Sequence, residues 1–327
     1  MISALRRNIR NTDWADWKSR LNELLKACQV CPRRCGVNRL LGARGFCGVG
    51  NIVRVSKTFI HYGEEELLNP ACTVYFTGCN MRCAFCSNQR FILNPDDGRI
   101  FSSAVTAETI DAAFRNGRIR CMELLGGEPF CQLQAIPDFF PLLKEPVPIV
   151  WNSNIYAAEA AFELVREIVD FWVADLKFGN DQCAATVAST PDYFETVTAN
   201  LRRILPEQLI IRHLPLHGHF DCCTRPVLEW IAAYHPDIPV SIAALLPDRK
   251  RCCTPFDDDE NAALDKLSAQ LKINRIQPVL HEAAEDIAAG DNTLETELLI
   301  RPDGSIVLED ISGKLLHLLE PFVRSRN

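Results

Sequence analysis

The sequence has no apolar run of the ~18 residues that a membrane-spanning helix needs. Its first twenty residues, MISALRRNIRNTDWADWKSR, contain no apolar core of the kind a signal peptide carries. Basic residues are not in excess: 35 Lys and Arg stand against 42 Asp and Glu, for a net charge of −7 and a pI near 5.6. That balance argues against nucleic acid or an anionic membrane as partner. There is no internal repeat and no low-complexity tract, so no repeat architecture is indicated. These absences lead to the expectation of an ordinary cytoplasmic protein of one large domain with additions, or of two domains.

What the sequence has in quantity is cysteine, fifteen among 327 residues. An odd count in clusters argues against a fully paired disulfide framework, and in a reducing compartment such clusters bind metal or do redox chemistry. The stretch GCNMRCAFCSNQ sets Cys79, Cys83 and Cys86 in the spacing C-x3-C-x2-C. Closed iron–sulfur clusters take four cysteines and serve electron transfer. Three cysteinates hold three irons of a [4Fe-4S] cube and leave the fourth open to a substrate or cofactor, as an open zinc site keeps a position for its reactant. A structural zinc site or plain buried thiols are the alternatives.

Residues 1–27 read as helical, with Trp14, Trp17, Leu21, Leu24 and Leu25 near helical spacing. Residues 28–50 form a Cys/Gly/Arg-rich loop, and NIVRVSKTFI reads as a strand. From residue 72 strands and helices alternate. TVYFTG, IRCMELLGGEP, VPIVWNSN, DFWVADLKFG, QLIIRHLPLHG and IPVSIAAL read as six strands with their following loops. One intervening helix, TAETIDAAFRNG, is expected to take Thr106 as N-cap. Such alternation implies parallel pairing by right-handed crossovers. Polar residues collect just after the strands: Cys79, Gly126–Glu128, Asn152–Asn154, Asp175–Lys177 and His213–His219. Active sites of β/α barrels occupy that end; an open sheet would use the same side of its strands, and five successive polar strand ends favour the barrel. The expected fold is therefore α/β, a partial (β/α)6 barrel with an N-terminal Cys-rich segment and a C-terminal α+β appendage. The expected divisions are 1–60, 61–250 and 251–327. The appendage holds a helix, DDDENAALDKLSAQL, and a hairpin, TELLIRPDGSIVLED, folded about Pro-Asp-Gly.

The three-cysteine loop after a first barrel strand resembles the radical S-adenosylmethionine (SAM) superfamily. That resemblance implies that Cys79, Cys83 and Cys86 bind a [4Fe-4S] cluster. SAM's amino and carboxylate groups would chelate the open iron. An electron from a donor such as a flavodoxin or ferredoxin would cleave SAM to methionine and a 5′-deoxyadenosyl radical, which abstracts hydrogen from a substrate. Phe85 matches the aromatic residue usual before the last cysteine. Gly126-Gly127-Glu128-Pro129 matches the family's GGEP motif, which receives SAM's ammonium. Glycines let the backbone approach, and an ammonium needs acceptors. Asp175-Leu176-Lys177 resembles the Asp-Leu-Lys ending of the pyruvate formate-lyase-activating-enzyme branch. There Lys177 would face SAM's carboxylate or ribose, and Asp175 with Asn152 or Ser153 would help hold a cation. Asn152-Ser153-Asn154 stands where the branch has Asp-Thr-Asn, one negative charge fewer. A structural ion pair is the plain alternative for Asp175 and Lys177. The resemblance is to an uncharacterised activase-like group and covers roughly residues 28–245. It implies an activating-enzyme-like oxidoreductase, with glycyl-radical-enzyme activation or a maturase or small-molecule reaction as its branches and a protein among the candidate substrates. A non-catalytic iron–sulfur carrier or zinc scaffold would need four-cysteine sites alone.

Cys28, Cys31, Cys35 and Cys47 have the count and glycine-rich setting of a closed four-thiolate site for zinc or an auxiliary cluster, with uncoordinated thiols as the alternative. Arg33, Arg34, Arg39 and Arg44 would offset its charge or form a solvated basic loop. His213 is placed at a strand end near the SAM position. His217, His219 and Cys222 offer a second metal set, against ordinary hydrogen-bonded loop histidines. The vicinal pairs Cys222-Cys223 and Cys252-Cys253 do not easily ligate one metal as pairs. Cys121 and Cys131 read as core residues, and the acidic runs Glu64–Glu66 and Asp257–Glu260 as solvated surface.

Overall fold

The computed structural model describes residues 9–243 and 253–276, and beyond them the strands Glu297–Ile300, Ile306–Glu309 and Leu315–Leu316. Strand β1 (Arg54–His61) runs antiparallel to β2 (Ala71–Phe76), and the two-residue β3 (Arg99–Ile100) pairs antiparallel on the far side of β1. From β2 onward every neighbour is parallel. The order is β4 (Cys121–Gly126), β5 (Ile149–Ser153), β6 (Phe171–Asp175), β7 (Leu209–His213), β8 (Val240–Ile242) and β9 (Arg275–Ile276). Among the described residues the sheet runs from β3 at one edge to β9 at the other without closing. It carries the six alternating strands expected of a partial barrel. Residues 121–125 of β4 are all buried, because a parallel strand covered on both faces has no solvent side to alternate with.

The helices are α1 (Trp14–Lys26), α2 (Gln89–Leu93), α3 (Ser103–Arg115), α4 (Ile136–Phe139), α5 (Glu159–Arg166), α6 (Asp181–Ala188), α7 (Tyr193–Leu201), α8 (Arg225–Tyr234) and α9 (Asp258–Gln270). In α1, Trp17, Leu21 and Leu25 recur every four residues and are buried, so they form one apolar face. Each such side chain contributes roughly 1.5–3 kcal/mol by leaving water. The Trp17 indole N–H donates to the Leu164 carbonyl of α5 at 3.0 Å, which ties the N-terminal helix to α5. Asp13 caps α1 by accepting from the amides of Ala15 and Asp16 at 3.1 Å each.

Four local expectations change. Helix α3 begins at Ser103, not after Thr106, because the Thr106 amide already donates to the Ser102 carbonyl at 3.0 Å. Nothing between those residues breaks a helix, so it runs one turn earlier. The N-terminal helix is shorter than residues 1–27: α1 starts at Trp14, and residues 1–8 lie outside the described residues. Glu64 and Glu65 are not solvated surface. They are 3% and 1% exposed and face Arg212 of β7. Finally, α9 and β9 do not stand apart from the sheet: β9 pairs parallel with β8 and continues it. The hairpin forms as expected, with Glu297–Ile300 antiparallel to Ile306–Glu309; its Pro-Asp-Gly turn lies outside the described residues, as does Cys252.

Candidate active site

The chain leaves β2 through a tight loop that carries the three cysteines. Gly78 has φ +76, and a Cβ there would lie 2.3 Å from a Val49 methyl and 2.8 Å from the Cys47 carbonyl oxygen. Only glycine fits. The loop is anchored from below: the amides of Arg82 and Ala84 donate to the carbonyls of Ala188 and Val187 at 2.8 and 2.9 Å. The Arg82 guanidinium donates to the carbonyls of Cys79, Met81 and Phe46. The Cys79 sulfur accepts from the Met81 amide at 3.4 Å and the Asn154 side-chain N–H at 3.8 Å.

Strand β4 brings the glycine turn against this loop. The Gly127 amide donates to the Phe76 carbonyl at 2.8 Å, and the Glu128 amide to the Gly78 carbonyl at 2.9 Å. A Cβ on Gly127 would lie 2.0 Å from the Gly78 oxygen, and one on Gly126 2.2 Å from the Phe76 oxygen. Contact at that range requires two bare glycines. The Glu128 carboxylate is 1% exposed. It accepts from the Phe130 amide (3.1 Å), the Ser153 hydroxyl (2.7 Å) and the Asn154 amide (2.9 Å). Burial pushes its pKa up to about 7 against those three donors.

The end of β5 is locked to both motifs. Asn154 donates from its side chain to the Asn80 carboxamide oxygen at 2.9 Å and accepts from the Tyr156 amide at 2.9 Å. The next residue, Ile155, is buried with φ +56, a strained setting for a β-branched side chain. Asn200 holds it there by donating to the carbonyls of Ile155 and Ala157 at 3.0 and 2.9 Å. Asn152 donates to Glu123 at 2.9 Å. At the end of β6, the Lys177 ammonium meets Asp175 at 2.5 Å. Burial works to lower the lysine pKa, but Asp175 and the Cys83 sulfur outweigh it and leave it raised.

These groups share one cavity of about 390 Å³, within the range of small-molecule sites. Cys79, Cys83, Phe85, Cys86, Gly126, Gly127, Glu128, Asn152, Ser153, Asn154, Asp175 and Lys177 all line it. Two of the expected site residues are not among the lining residues. Pro129 turns into the buried segment after the motif. His213 lies 1% exposed behind its strand end, one ring nitrogen 2.7 Å from the Leu176 carbonyl and the other 3.0 Å from the Thr224 hydroxyl. Burial lowers its pKa to about 4. Arg212 and Tyr75 line the cavity instead, and neither stood out in the sequence. Arg212 is bidentate to Glu65 at 2.9 and 2.6 Å and pairs also with Glu64.

The donor set suits a cluster. Among the described residues, the groups of potential ligands whose atoms lie within 4.8 Å of one another do not include the three loop thiols. One tetrahedral zinc would hold two sulfurs about 3.8 Å apart, given Zn–S bonds of about 2.3 Å. Cysteines that ligate separate irons need no such convergence. Electrostatically, Cys79, Cys83 and Cys86 still act on one another, so they are neighbours around one space.

The N-terminal cysteines also gather. Burial, followed by the nearby Cys47, Cys28 and Cys35, pushes Cys31 up to about 12. Gly45 packs so closely on Cys35 that a Cβ would sit 2.7 Å from its sulfur. These four sulfurs are likewise not within single-ion spacing of one another. Cys131 is buried as expected, yet its thiol also pairs with Cys47 and lowers the latter's pKa. Of the four arginines, Arg39 is buried on the Cys131 carbonyl, Arg33 lies 3.4 Å over the Phe46 ring, and Arg44 pairs with Asp96. His217 turns away from Cys222 to Glu260, at 2.7 Å.

Residues 70–192 match a family model described as a 4Fe-4S single cluster domain. An uncharacterized protein of Methanocaldococcus jannaschii is 33% identical over 213 residues, 64% of this chain and 62% of that protein. The 7-carboxy-7-deazaguanine synthase of Archaeoglobus fulgidus is 28% identical over 107 residues, 32% of this chain and 45% of that enzyme. An M. jannaschii protein named for glycyl-radical-enzyme activation is 27% identical over 106 residues, 32% of this chain and 42% of that protein. The chain thus spans less than two thirds of the length of the curated relatives it matches. Among solved structures, Streptococcus suis SuiB bound to S-adenosylmethionine has a TM-score of 0.48 at 13% identity, covering 62% of this chain and 48% of that one.

Proposed function

We propose that this chain belongs to the radical SAM superfamily, carries a [4Fe-4S] cluster on Cys79, Cys83 and Cys86 and binds S-adenosylmethionine beside it. The observation that carries this reading is the pair of backbone hydrogen bonds, 2.8 and 2.9 Å, that lock the glycine turn of β4 onto the cysteine loop. When bound, the cluster and cofactor supply one-electron cleavage of the cofactor and the hydrogen abstraction that follows. The protein supplies position, charge and exclusion of water. Glu128 is ready for an ammonium: its buried carboxyl has a raised pKa, and an adjacent cation favours the ionised form. Lys177, paired to Asp175 at 2.5 Å, presents a cation to the cofactor's carboxylate or ribose. Phe85, its ring 6.2 Å from that of Phe178, gives an apolar wall for a base. Asn154 and Asn80 hold the loop against β5 at 2.9 Å.

The reaction class we infer is activating-enzyme-like, acting on a protein partner with an electron donor such as flavodoxin or ferredoxin. The Asp175-Leu176-Lys177 strand ending and the relative named for glycyl-radical-enzyme activation support it. Among the described residues no helix is long and apolar enough to cross a membrane, and the place we assign to the reaction is the cytoplasm. Anaerobically reconstituted protein, given reductant and S-adenosylmethionine, is expected to release 5′-deoxyadenosine, read by mass spectrometry, and Cys83→Ala is expected to release none. No product, together with a cluster spectrum that S-adenosylmethionine does not perturb, would overturn the assignment.

A further inference from the structure

A second constellation of ligand atoms lies at the N-terminal end of α6, outside the cavity. Cys183 in the first turn of α6, and His219, Cys222 and Cys223 in the turn that leads into α8, place their ligand atoms within 4.8 Å of one another. The Cys183 and Cys222 sulfurs are 3.6 Å apart. His219 Nδ1 is 3.5 Å from the Cys222 sulfur and 4.0 Å from that of Cys223. A tetrahedral zinc with Zn–S of about 2.3 Å and Zn–N of about 2.05 Å sets sulfurs about 3.8 Å apart and sulfur and nitrogen about 3.6 Å apart. We propose that Cys183, His219, Cys222 and Cys223 form a closed structural zinc site.

The backbone explains how two adjacent cysteines converge. Residues 220–224 form a π-helical turn, in which the amides of Cys223 and Thr224 both donate to the His219 carbonyl, at 2.9 and 3.2 Å. The wider turn brings neighbouring side chains closer in direction than an α-helix does. The proposed site therefore departs from the expectation that a vicinal pair does not easily ligate one metal, and the π-turn is the reason it can. An outer-shell donor is present as well. Asn180 caps α6 by accepting from the Cys183 amide at 2.8 Å, and its N–H₂ donates to the Cys183 sulfur at 3.4 Å and to the Cys222 carbonyl at 2.5 Å. Such bonds orient the side chains that coordinate a metal. Three thiolates and an imidazole with no open position suit zinc as a structural ion. Its place gives it a task. The far end of α6 carries Val187 and Ala188, whose carbonyls hold the cysteine loop. A metal at Cys183 pins that helix to the turn after β7.

The test is metal content in the full chain, purified anaerobically, with iron and zinc measured per chain. Cys183→Ser and Cys222→Ser are each expected to lose one equivalent of zinc with iron unchanged, whereas Cys31→Ser keeps that equivalent. His219→Cys guards against a folding artefact. It is expected to retain the metal and, after cobalt replaces zinc, to shift the tetrahedral visible bands as a sulfur replaces a nitrogen. Zinc content equal in all forms would overturn the site. So would loss of iron in place of zinc, or alkylation mass spectrometry that finds a Cys183–Cys222 disulfide in zinc-free protein.

Discussion

The contact between Gly127 and the cysteine loop can be broken by one methyl group. In Gly127→Ala the new carbon would stand 2.0 Å from the Gly78 oxygen and 3.1 Å from an Ile92 methyl. An unstrained contact is about 3.5 Å, so the overlap is about 1.5 Å, and it is against backbone that no rotamer can move. The strand end and the loop must separate. The Gly127–Phe76 and Glu128–Gly78 hydrogen bonds, now 2.8 and 2.9 Å, would then be lost at about 1 kcal/mol each. Overpacking adds about 1–3 kcal/mol. The expected cost is about 3–5 kcal/mol, a large part of a typical domain's 5–15 kcal/mol. Gly117→Ala is the matched control. Its φ is +67, but nothing lies within 4 Å of the added carbon, so it bears only the left-handed backbone cost of about 1–2 kcal/mol. Urea unfolding of the metal-free chain reads both, and iron per chain after anaerobic reconstitution reads the site. Gly127→Ala within 1 kcal/mol of the parent, with full iron, would refute the reasoning.

Arg212→Met leaves Glu65 buried without its cation and Glu64 beside it with only the His61 ring, 2.7 Å away, at an expected cost of about 3–5 kcal/mol, which shrinks toward acid pH as a carboxylate takes up a proton. A loss under 1 kcal/mol in urea would show that the ion pairs do not matter to the fold. Glu123 gives a pH signature. Burial, with the charge of Glu64 next, holds its carboxyl well above the usual carboxylate range, and its Oε2 has no partner. Because the folded-state pKa is raised, its contribution is fully present below the ordinary value near ~4.3, falls by about 1.4 kcal/mol per pH unit as pH rises from there toward the folded value, and is wholly lost above the folded value. Glu123→Gln keeps the acceptor for Asn152 and has no such slope. It is expected to match the parent in acid and to exceed it as pH rises; a difference independent of pH in urea midpoints would contradict the burial of that charge.

Reading along the chain recovers what is local. The order of β2 and β4–β8 follows from buried runs separated by helical periods, and the cysteine loop and glycine turn are recognisable because each is a few adjacent residues whose chemistry requires that spacing. The reading faltered where a residue's neighbours are remote. The run Glu64–Glu66 looks solvated until β7 brings Arg212 across, 148 positions away from Glu64. His213 sits at a strand end like a site residue, yet its ring turns to Leu176 and Thr224. Cys131 looks like a core thiol until Cys47 is set beside it.

The sequence by itself therefore determined the alternating parallel architecture, the three-thiolate loop and the glycine turn that faces it, since period, spacing and backbone freedom are properties of short segments. The tertiary structure alone decided which acid meets Arg212, and which lone cysteine in α6 meets the His219 turn. Those pairings depend on sheet order and on how far each crossover carries the chain, and no short stretch of sequence encodes a distance through space.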